Sequence, residues 1–202
     1  MLKQTITCSL AAVVIGAMVL ITTNAGRHIT PDALTQLVDC ESCRLDVYPD
    51  PVSKSIPYTV GVGATRDMAG RPFKNGEQIA IEDAQKLLAR DVLSEERCVS
   101  QNFNGEETLE NGEYVMPQTV FEALVSLEHT VGCVGISYGK KGYPTRLRQH
   151  ALRHDYTAVC EGILQYNKAG GVVNKGIVKR RNREYKWCIK GVNTHVEYNH
   201  MD

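Results

Sequence analysis

Glu41-Ser42-Cys43-Arg44-Leu45-Asp46-Val47-Tyr48-Pro49-Asp50, with Tyr58-Thr59-Val60-Gly61-Val62-Gly63 downstream, is the stretch on which the reading of this 202-residue chain turns. It begins at the end of a helical pattern, passes through alternating β-type residues and reaches Pro, Asp and Gly, the residues of turns. An acid stands at each side of that switch, Glu41 on the helix side and Asp50 in the strand-and-turn region. A chain that folds back here can aim both carboxyls into one cleft. Two carboxyls facing a glycosidic bond are the minimum for its hydrolysis: one, protonated, gives the leaving oxygen its proton, and the other, ionised, activates water or stabilises positive charge on the sugar. Thr59 adds a short hydroxyl that can hold a water without titrating.

Working outward, Thr30-Pro31 predicts a helix start, with a hydroxyl to cap free N–H groups and a proline at the position where its missing N–H costs nothing. That helix is expected over 31–43. Residues 46–70 read as a small twisted hairpin or three-stranded sheet, with β-type runs at 58–60 and Val62. A long helix comes next, over about 81–100, on the spacing of Ala84, Leu87, Leu88, Val92 and Leu93. Residues 101–115 are polar and form a loop. Pro117 opens another helix whose Val120, Leu124, Leu127 and Val131 make a core stripe, and further helices fit 144–153, 155–167 and 177–189, with a break at Ala169-Gly170-Gly171. The architecture is α+β and mainly helical: a small antiparallel sheet in an N-terminal lobe (28–80), a connecting helix (81–100) and a larger helical lobe (101–202). Between the two lobes a cleft is expected.

Upstream, 23 residues without a charge separate Lys3 from Arg27, long enough to span a bilayer as a helix. Twelve of them are Gly, Ala, Ser, Thr or Cys, so such a helix would hold the membrane weakly. Three readings are open: a cleaved signal peptide, for which Thr23-Asn24-Ala25 is a poor cleavage site; a stable single-span anchor; and an anchor over 1–27 that directs export and later leaves the bilayer uncleaved. The third explains both the length and the dilution with small polar residues. All three export the domain that begins near residue 28, into a setting where disulfides form.

The chain has 23 basic and 23 acidic side chains and seven cysteines. Its size supports a real core without cross-links, and overall neutrality gives no reason to expect nucleic acid as a partner. Neutrality hides a division: residues 1–139 carry a net charge of −8 and residues 140–202 a net of +8. The basic part suits an anionic partner, be it a polymer, a lipid surface or a bacterial wall.

The block from Glu41 through Arg44-Leu45-Asp46-Val47-Tyr48-Pro49-Asp50, with Tyr58-Thr59-Val60-Gly61-Val62-Gly63 after it, resembles the active-site signature of the phage-type lysozymes, glycoside hydrolase family 24. Three more blocks agree in order: Gln118 to Ser126, Tyr166-Asn167-Lys168-Ala169-Gly170-Gly171, and Gly176 to Glu184. The resemblance covers about residues 31–190. It implies a lysozyme-like fold and a muramidase that cleaves the β-1,4 bond between N-acetylmuramic acid and N-acetylglucosamine in peptidoglycan. Glu41 is then the general acid, Asp50 the second carboxylate, and Thr59 the residue that helps place the attacking water, with inversion at the anomeric carbon. Arg181, His129 and Thr145 are candidate substrate-binding residues. No cofactor or metal is expected, and the enzyme is expected to act as a monomer. A lytic transglycosylase and a non-catalytic wall-binding protein remain as alternatives.

Departures from the family pattern are Ser42 and Ala64, where Gly and His are usual, and a nine-residue separation of Asp50 from Thr59, three more than usual. Among the cysteines, Cys98–Cys188 and Cys133–Cys160 are the expected structural bridges. Cys8, Cys40 and Cys43 remain, and with the uncharged N-terminal segment they resemble the signal-arrest-release endolysins. A redox switch is expected: with Cys8 in the inner membrane, Cys40 and Cys43 hold Glu41 away from Asp50; after release into the periplasm, Cys8 exchanges onto a partner and frees the helix end. His150 and His154 are i, i+4 on a helix, but no third ligand accompanies them and no zinc site is expected.

Overall fold

The computed structural model describes residues 5–39, 43–49 and 56–198. It divides into two compact units, Met1–Leu93 and Ser94–Asp202, with the boundary inside a single helix.

In the first unit, α1 (Leu10–Thr22) and α2 (Pro31–Val38) pack on each other, and β1 (Arg44–Pro49) pairs antiparallel with β2 (Tyr58–Gly61). The α2 cap is the one the sequence predicts: the Thr30 hydroxyl accepts from Ala33 N–H ahead of Pro31. At the start of α1 the Ser9 hydroxyl plays the same part, accepting from Ala12 N–H. α2 ends at Val38, short of the expected Cys43; residues 40–42, and with them Glu41, lie outside the described residues. Buried Ala33, Leu34, Leu37 and Val38 form one face of α2, and Val13, Ala17 and Ile21 one face of α1. A separate core of Val47, Val60, Ala64, Phe73 and Leu87, flanked by Tyr58 and Ile79, fixes the β1–β2 pair to the start of α3 (Ile81–Asn102). After β2 the chain reverses through Gly61-Val62-Gly63, with Val60 and Ala64 exchanging backbone hydrogen bonds at 2.9 and 3.0 Å. Gly61 and Gly63 both have positive φ (63° and 86°), which is why this turn needs glycine on both sides of Val62.

The uncharged N-terminal segment is not one continuous helix. Residues 6–8 run beside β1, and α1 accounts for only 13 residues. At about 1.5 Å per residue α1 is roughly 20 Å long, against about 30 Å of hydrocarbon. Among the described residues no helix is long and apolar enough to cross a membrane. α1 is seated closely on the rest of the unit: Gln85 of α3 donates Nε2–H to the Ala12 carbonyl at 3.0 Å, and a Cβ on Gly16 would lie 2.2 to 2.6 Å from that amide.

The second unit contains the end of α3, then α4 (Gln118–Val131), α5 (Cys133–Ser137), α6 (Arg146–Ala151), α7 (Tyr156–Ile163), a two-stranded hairpin of β3 (Lys168–Ala169) and β4 (Val172–Val173), and α8 (Lys175–Tyr198). α4 and α8 are its principal packed pair. The predicted stripe holds, with Val120, Leu124 and Leu127 fully buried. Close approach of α8 is set by Gly191, whose N–H donates to Thr119 Oγ1 at 3.0 Å and whose Cβ, were there one, would meet that oxygen at 2.4 Å. The Gly170-Gly171 break is the turn of the β3–β4 hairpin, a second small sheet that two-residue strands leave invisible to periodicity.

A Gly16→Leu substitution should destabilise the protein by about 1–3 kcal/mol, as overpacking does. Hydrogen exchange should show the loss confined to α1 amides.

Candidate functional site

The three residues predicted to be catalytic belong to the first unit. Thr59 lies on β2, 8% exposed, its backbone paired in register with Tyr48 of β1, and Pro49 pairs with Tyr58. Glu41 and Asp50 lie outside the described residues. The described structure therefore gives the frame that holds the ends of their segments: Asp39 caps α2, Cys43 leads into β1, and Pro49 ends it.

That frame is held on both edges. β2 lies along one edge of β1. On the other, Val47 N–H donates to the Glu77 carbonyl (3.0 Å), Ile79 N–H to the Leu45 carbonyl (2.9 Å), and Leu45 N–H to the Ile6 carbonyl (2.8 Å). Cys8 N–H donates to the Cys43 carbonyl at 3.2 Å, and the two cysteines are joined by a disulfide with a Cα–Cα distance of 5.3 Å. The Asp46 carboxylate ties this corner together, accepting from the Arg44 guanidinium and from Ile6 N–H at 3.0 Å. The side-chain hydrogen bond from Arg44 is the largest influence holding its carboxyl below the usual range, with the Ile6 N–H adding to it against partial desolvation.

The remaining disulfides correct the expected pairing. The structure joins Cys98 to Cys133 and Cys160 to Cys188, not Cys98 to Cys188 and Cys133 to Cys160. Cys133 opens α5 within reach of the end of α3, where Asn102 Nδ2 lies 3.6 Å from its sulfur, and Cys188 faces α7 because α7 and α8 pack together. The expected pairing places Cys98 of the connecting helix beside Cys188; in the structure its neighbour is Cys133 at the start of α5. All six described cysteines are paired; Cys40 lies outside the described residues. Cys98, Cys133 and Glu128 are close enough to hold a cation, but sulfurs joined in a disulfide offer no thiolate.

Each candidate substrate-binding residue of the second unit makes polar contacts within that unit. Arg181 is 2% exposed and donates to Glu184 at 2.5 Å and to the Thr130 hydroxyl; the same Glu184 accepts from Arg180 (3.2 Å) and Ser126 (2.7 Å). With so little surface, Arg181 joins α8 to α4 through Glu184 and Thr130. His129 sits in the last turn of α4, where a cation is favoured by the helix dipole, and its Nδ1 is 2.7 Å from buried Glu95 of α3. Thr145 caps α6, accepting from Arg148 N–H and donating to the Ile136 carbonyl; burial raises the pKa of the Tyr166 phenol. His150 and His154 pair with Asp155 and Glu107 at 3.0 and 3.1 Å. Sequence reasoning missed Glu184 and Asp46 as organisers. The signals were Arg-Arg followed by Glu at i+3 and i+4, and an Arg-x-Asp step inside a strand.

A family model described as phage lysozyme matches residues 38–184. The SAR-endolysin of Haemophilus phage HP1 is 29% identical over 172 residues, covering 83% of this chain and 84% of that protein. The SAR-endolysin of Escherichia phage P1 is 26% identical over 184 residues, covering 88% and 91%. Among solved structures, the active form of P1 phage endolysin Lyz superposes with a TM-score of 0.73 at 21% identity, over 93% of this chain and 97% of that one. The endolysin from Escherichia coli O157:H7 phage FAHEc1 gives 0.64 at 21% identity, over 82% and 95%. The fold is thus lysozyme-like.

Two substitutions test this geometry. Glu184→Ala should cost about 3–5 kcal/mol in urea denaturation, because it strands buried guanidinium charge; a variant that loses activity at full stability would instead restore a substrate role for this cluster. Asp46 is ionised more readily folded than unfolded, so its contribution is present above about pH 4 and is lost as pH falls through the folded value. Protection of the Ile6 and Leu45 amides, relative to their intrinsic exchange at each pH, should fall on that acidification in the native protein, and the step should be absent in Asp46→Asn.

Proposed function

The chain belongs to the phage lysozyme family and is a muramidase, and from that premise we propose that it is an endolysin which hydrolyses the β-1,4 bond between N-acetylmuramic acid and N-acetylglucosamine during host lysis. The observation that carries this is the family match over 38–184, a span that includes Glu41, Asp50 and Thr59 in the order and chemistry glycoside hydrolysis requires. Glu41 donates a proton to the leaving oxygen. Asp50, ionised, stabilises the positive charge that develops on the ring and takes the proton of the attacking water, which Thr59, on the buried strand β2, helps hold at the opposite face. Inversion at the anomeric carbon is the outcome.

Glu41→Gln should abolish clearing of purified sacculi while leaving the unfolding transition unchanged; retained muramidase activity would refute the assignment. Mass spectrometry of the released muropeptides separates hydrolysis from a transglycosylase, whose products end in a 1,6-anhydro sugar. Wall binding without clearing would make the chain a binding protein on a lysozyme fold.

The N-terminal segment serves as an export signal and temporary inner-membrane tether, from which the enzyme is released to the periplasm. Support comes from its uncharged length diluted with small residues, from the SAR-endolysin relatives, and from the bond between Cys8 and Cys43. While residues 1–27 lie in the bilayer, Cys8 cannot reach Cys43, and Cys40 is the alternative partner. On release, the Cys8 thiolate attacks the Cys40–Cys43 disulfide at Cys43, forming Cys8–Cys43 and leaving Cys40 as the thiolate; no net oxidant is consumed. Cys8→Ser should be exported but fail to lyse cells, and lysis at the wild-type rate by that variant would remove the switch.

A further inference from the structure

The charge division has a different origin from the one the sequence suggested. Residues 1–93 are nearly balanced, with 9 basic and 10 acidic side chains, so the first unit is not the acidic partner. Segregation lies inside the second unit: residues 94–139 carry one Arg and eight Glu, and residues 140–202 carry 13 Lys and Arg against 5 Asp and Glu.

On α8 the basic residues are ordered in space. At about 100° per residue, Lys175, Lys179, Lys186 and Lys190 fall within roughly 60° of one another around the helix, along about 22 Å of its length. All four are exposed. Asn182, exposed on the same face, is neutral, and half-buried Arg183 borders the stripe. The opposite face carries Arg181, Glu184, Cys188 and Val192, all buried. Glu184, the acid within the span of the stripe, is turned inward and engaged by Arg180 and Arg181, and the other acid of α8, Glu197, comes after Lys190 in the sequence. Lys190 lies over the Trp187 ring at 5.0 Å, and Trp187 is itself anchored by Nε1–H donation to Glu122 at 2.7 Å, so that end of the stripe is presented by a fixed side chain.

Four like charges on one exposed helix face raise each other's cost, and a structural role would not require it: the fold's own salt bridges in α8 use the buried arginines. A row of lysines is a point-charge match for carboxylates spaced along a linear polymer. We infer that the Lys175–Lys190 face of α8 docks the enzyme on the stem-peptide carboxylates of peptidoglycan, outside the catalytic residues. This rests on the chain being a wall-degrading enzyme. A lipid surface fits less well, because no exposed apolar side chain lies between the lysines on that face of the helix, and Trp187 beside Lys190 is half-buried and tied to Glu122.

The test uses the full chain carrying Glu41→Gln, so that sacculi survive, with and without Lys179→Gln, Lys186→Gln and Lys190→Gln together. Cosedimentation with purified sacculi at low salt should weaken about tenfold or more on losing three lysines near an anionic surface. The unaltered stripe should lose the same binding on sacculi whose carboxyls have been amidated. In the enzyme that retains Glu41, turnover of short soluble glycan fragments should be unchanged by the three lysine substitutions. Equal sedimentation of both forms would overturn the inference, as would tighter binding of the unaltered stripe to phosphatidylglycerol vesicles than to sacculi. Failure of the Glu41 enzyme to cleave any fragment would instead overturn the muramidase reading and leave the binding comparison standing.

Discussion

The first unit is organised around the two-sided support of β1. A six-residue strand paired with a four-residue one is not stable in water, and two strands alone would leave β1 with an open edge. Here that edge is closed by two segments distant in sequence, Glu77–Ile79 and Ile6–Cys8, and sealed by the Cys8–Cys43 bond and the Asp46 carboxylate. The residues so fixed immediately follow the segment bearing Glu41 and immediately precede Asp50. Any change in where residues 6–8 reside is therefore felt at Cys43 and Leu45, whatever route it takes.

The second unit solves a different problem. Its helices are short apart from α4 and α8, and five- to eight-residue helices such as α5, α6 and α7 have little intrinsic stability. Two disulfides and side-chain caps compensate. Cys98–Cys133 fixes α5 to the end of α3, Cys160–Cys188 fixes α7 to α8, and Thr145 and Asp155 cap α6 and α7. An interior Arg181 makes sense on these terms: a cluster of Arg180, Arg181, Glu184, Ser126 and Thr130 supplies directional bonds between the two long helices that apolar packing alone would leave free to slide.

What is legible in the sequence is what has a period or a local signal. The stripe of α4, the Thr30-Pro31 start of α2 and the break at Gly170-Gly171 all come from local rules that no tertiary contact overrides. The length of α2, the β3–β4 pairing and the disulfide map do not, because each depends on which element packs beside which. Pairing Cys98 with Cys188 assumes a neighbour that the structure gives to Cys160 instead. At the site, Thr59 is readable as a strand residue, whereas Asp46 is not readable as an organiser: its importance comes from Ile6, forty residues away, which no window around the signature contains.

The composition of α1 is the least expected of a globular fold. α2 next to it is amphipathic, burying one face and exposing Asp32 and Thr35, as a helix on the surface of a domain should. α1 has no such asymmetry. It buries Val13, Val14, Ala17 and Ile21 but leaves Ile15 67% and Val19 60% exposed, so apolar side chains face water on a helix that the domain's core does not need on that side. The folded domain gains nothing from Ile15 and Val19, and solubility is poorer for them. Lipid on all sides would make every one of these residues useful, and Gly16, which admits the Gln85 amide in the docked helix, costs little there. On the tether reading proposed above, one sequence serves a bilayer first and a domain surface second; such a sequence has to be apolar all round, and α1, with Ile15 and Val19 exposed opposite buried Val13, Ala17 and Ile21, is.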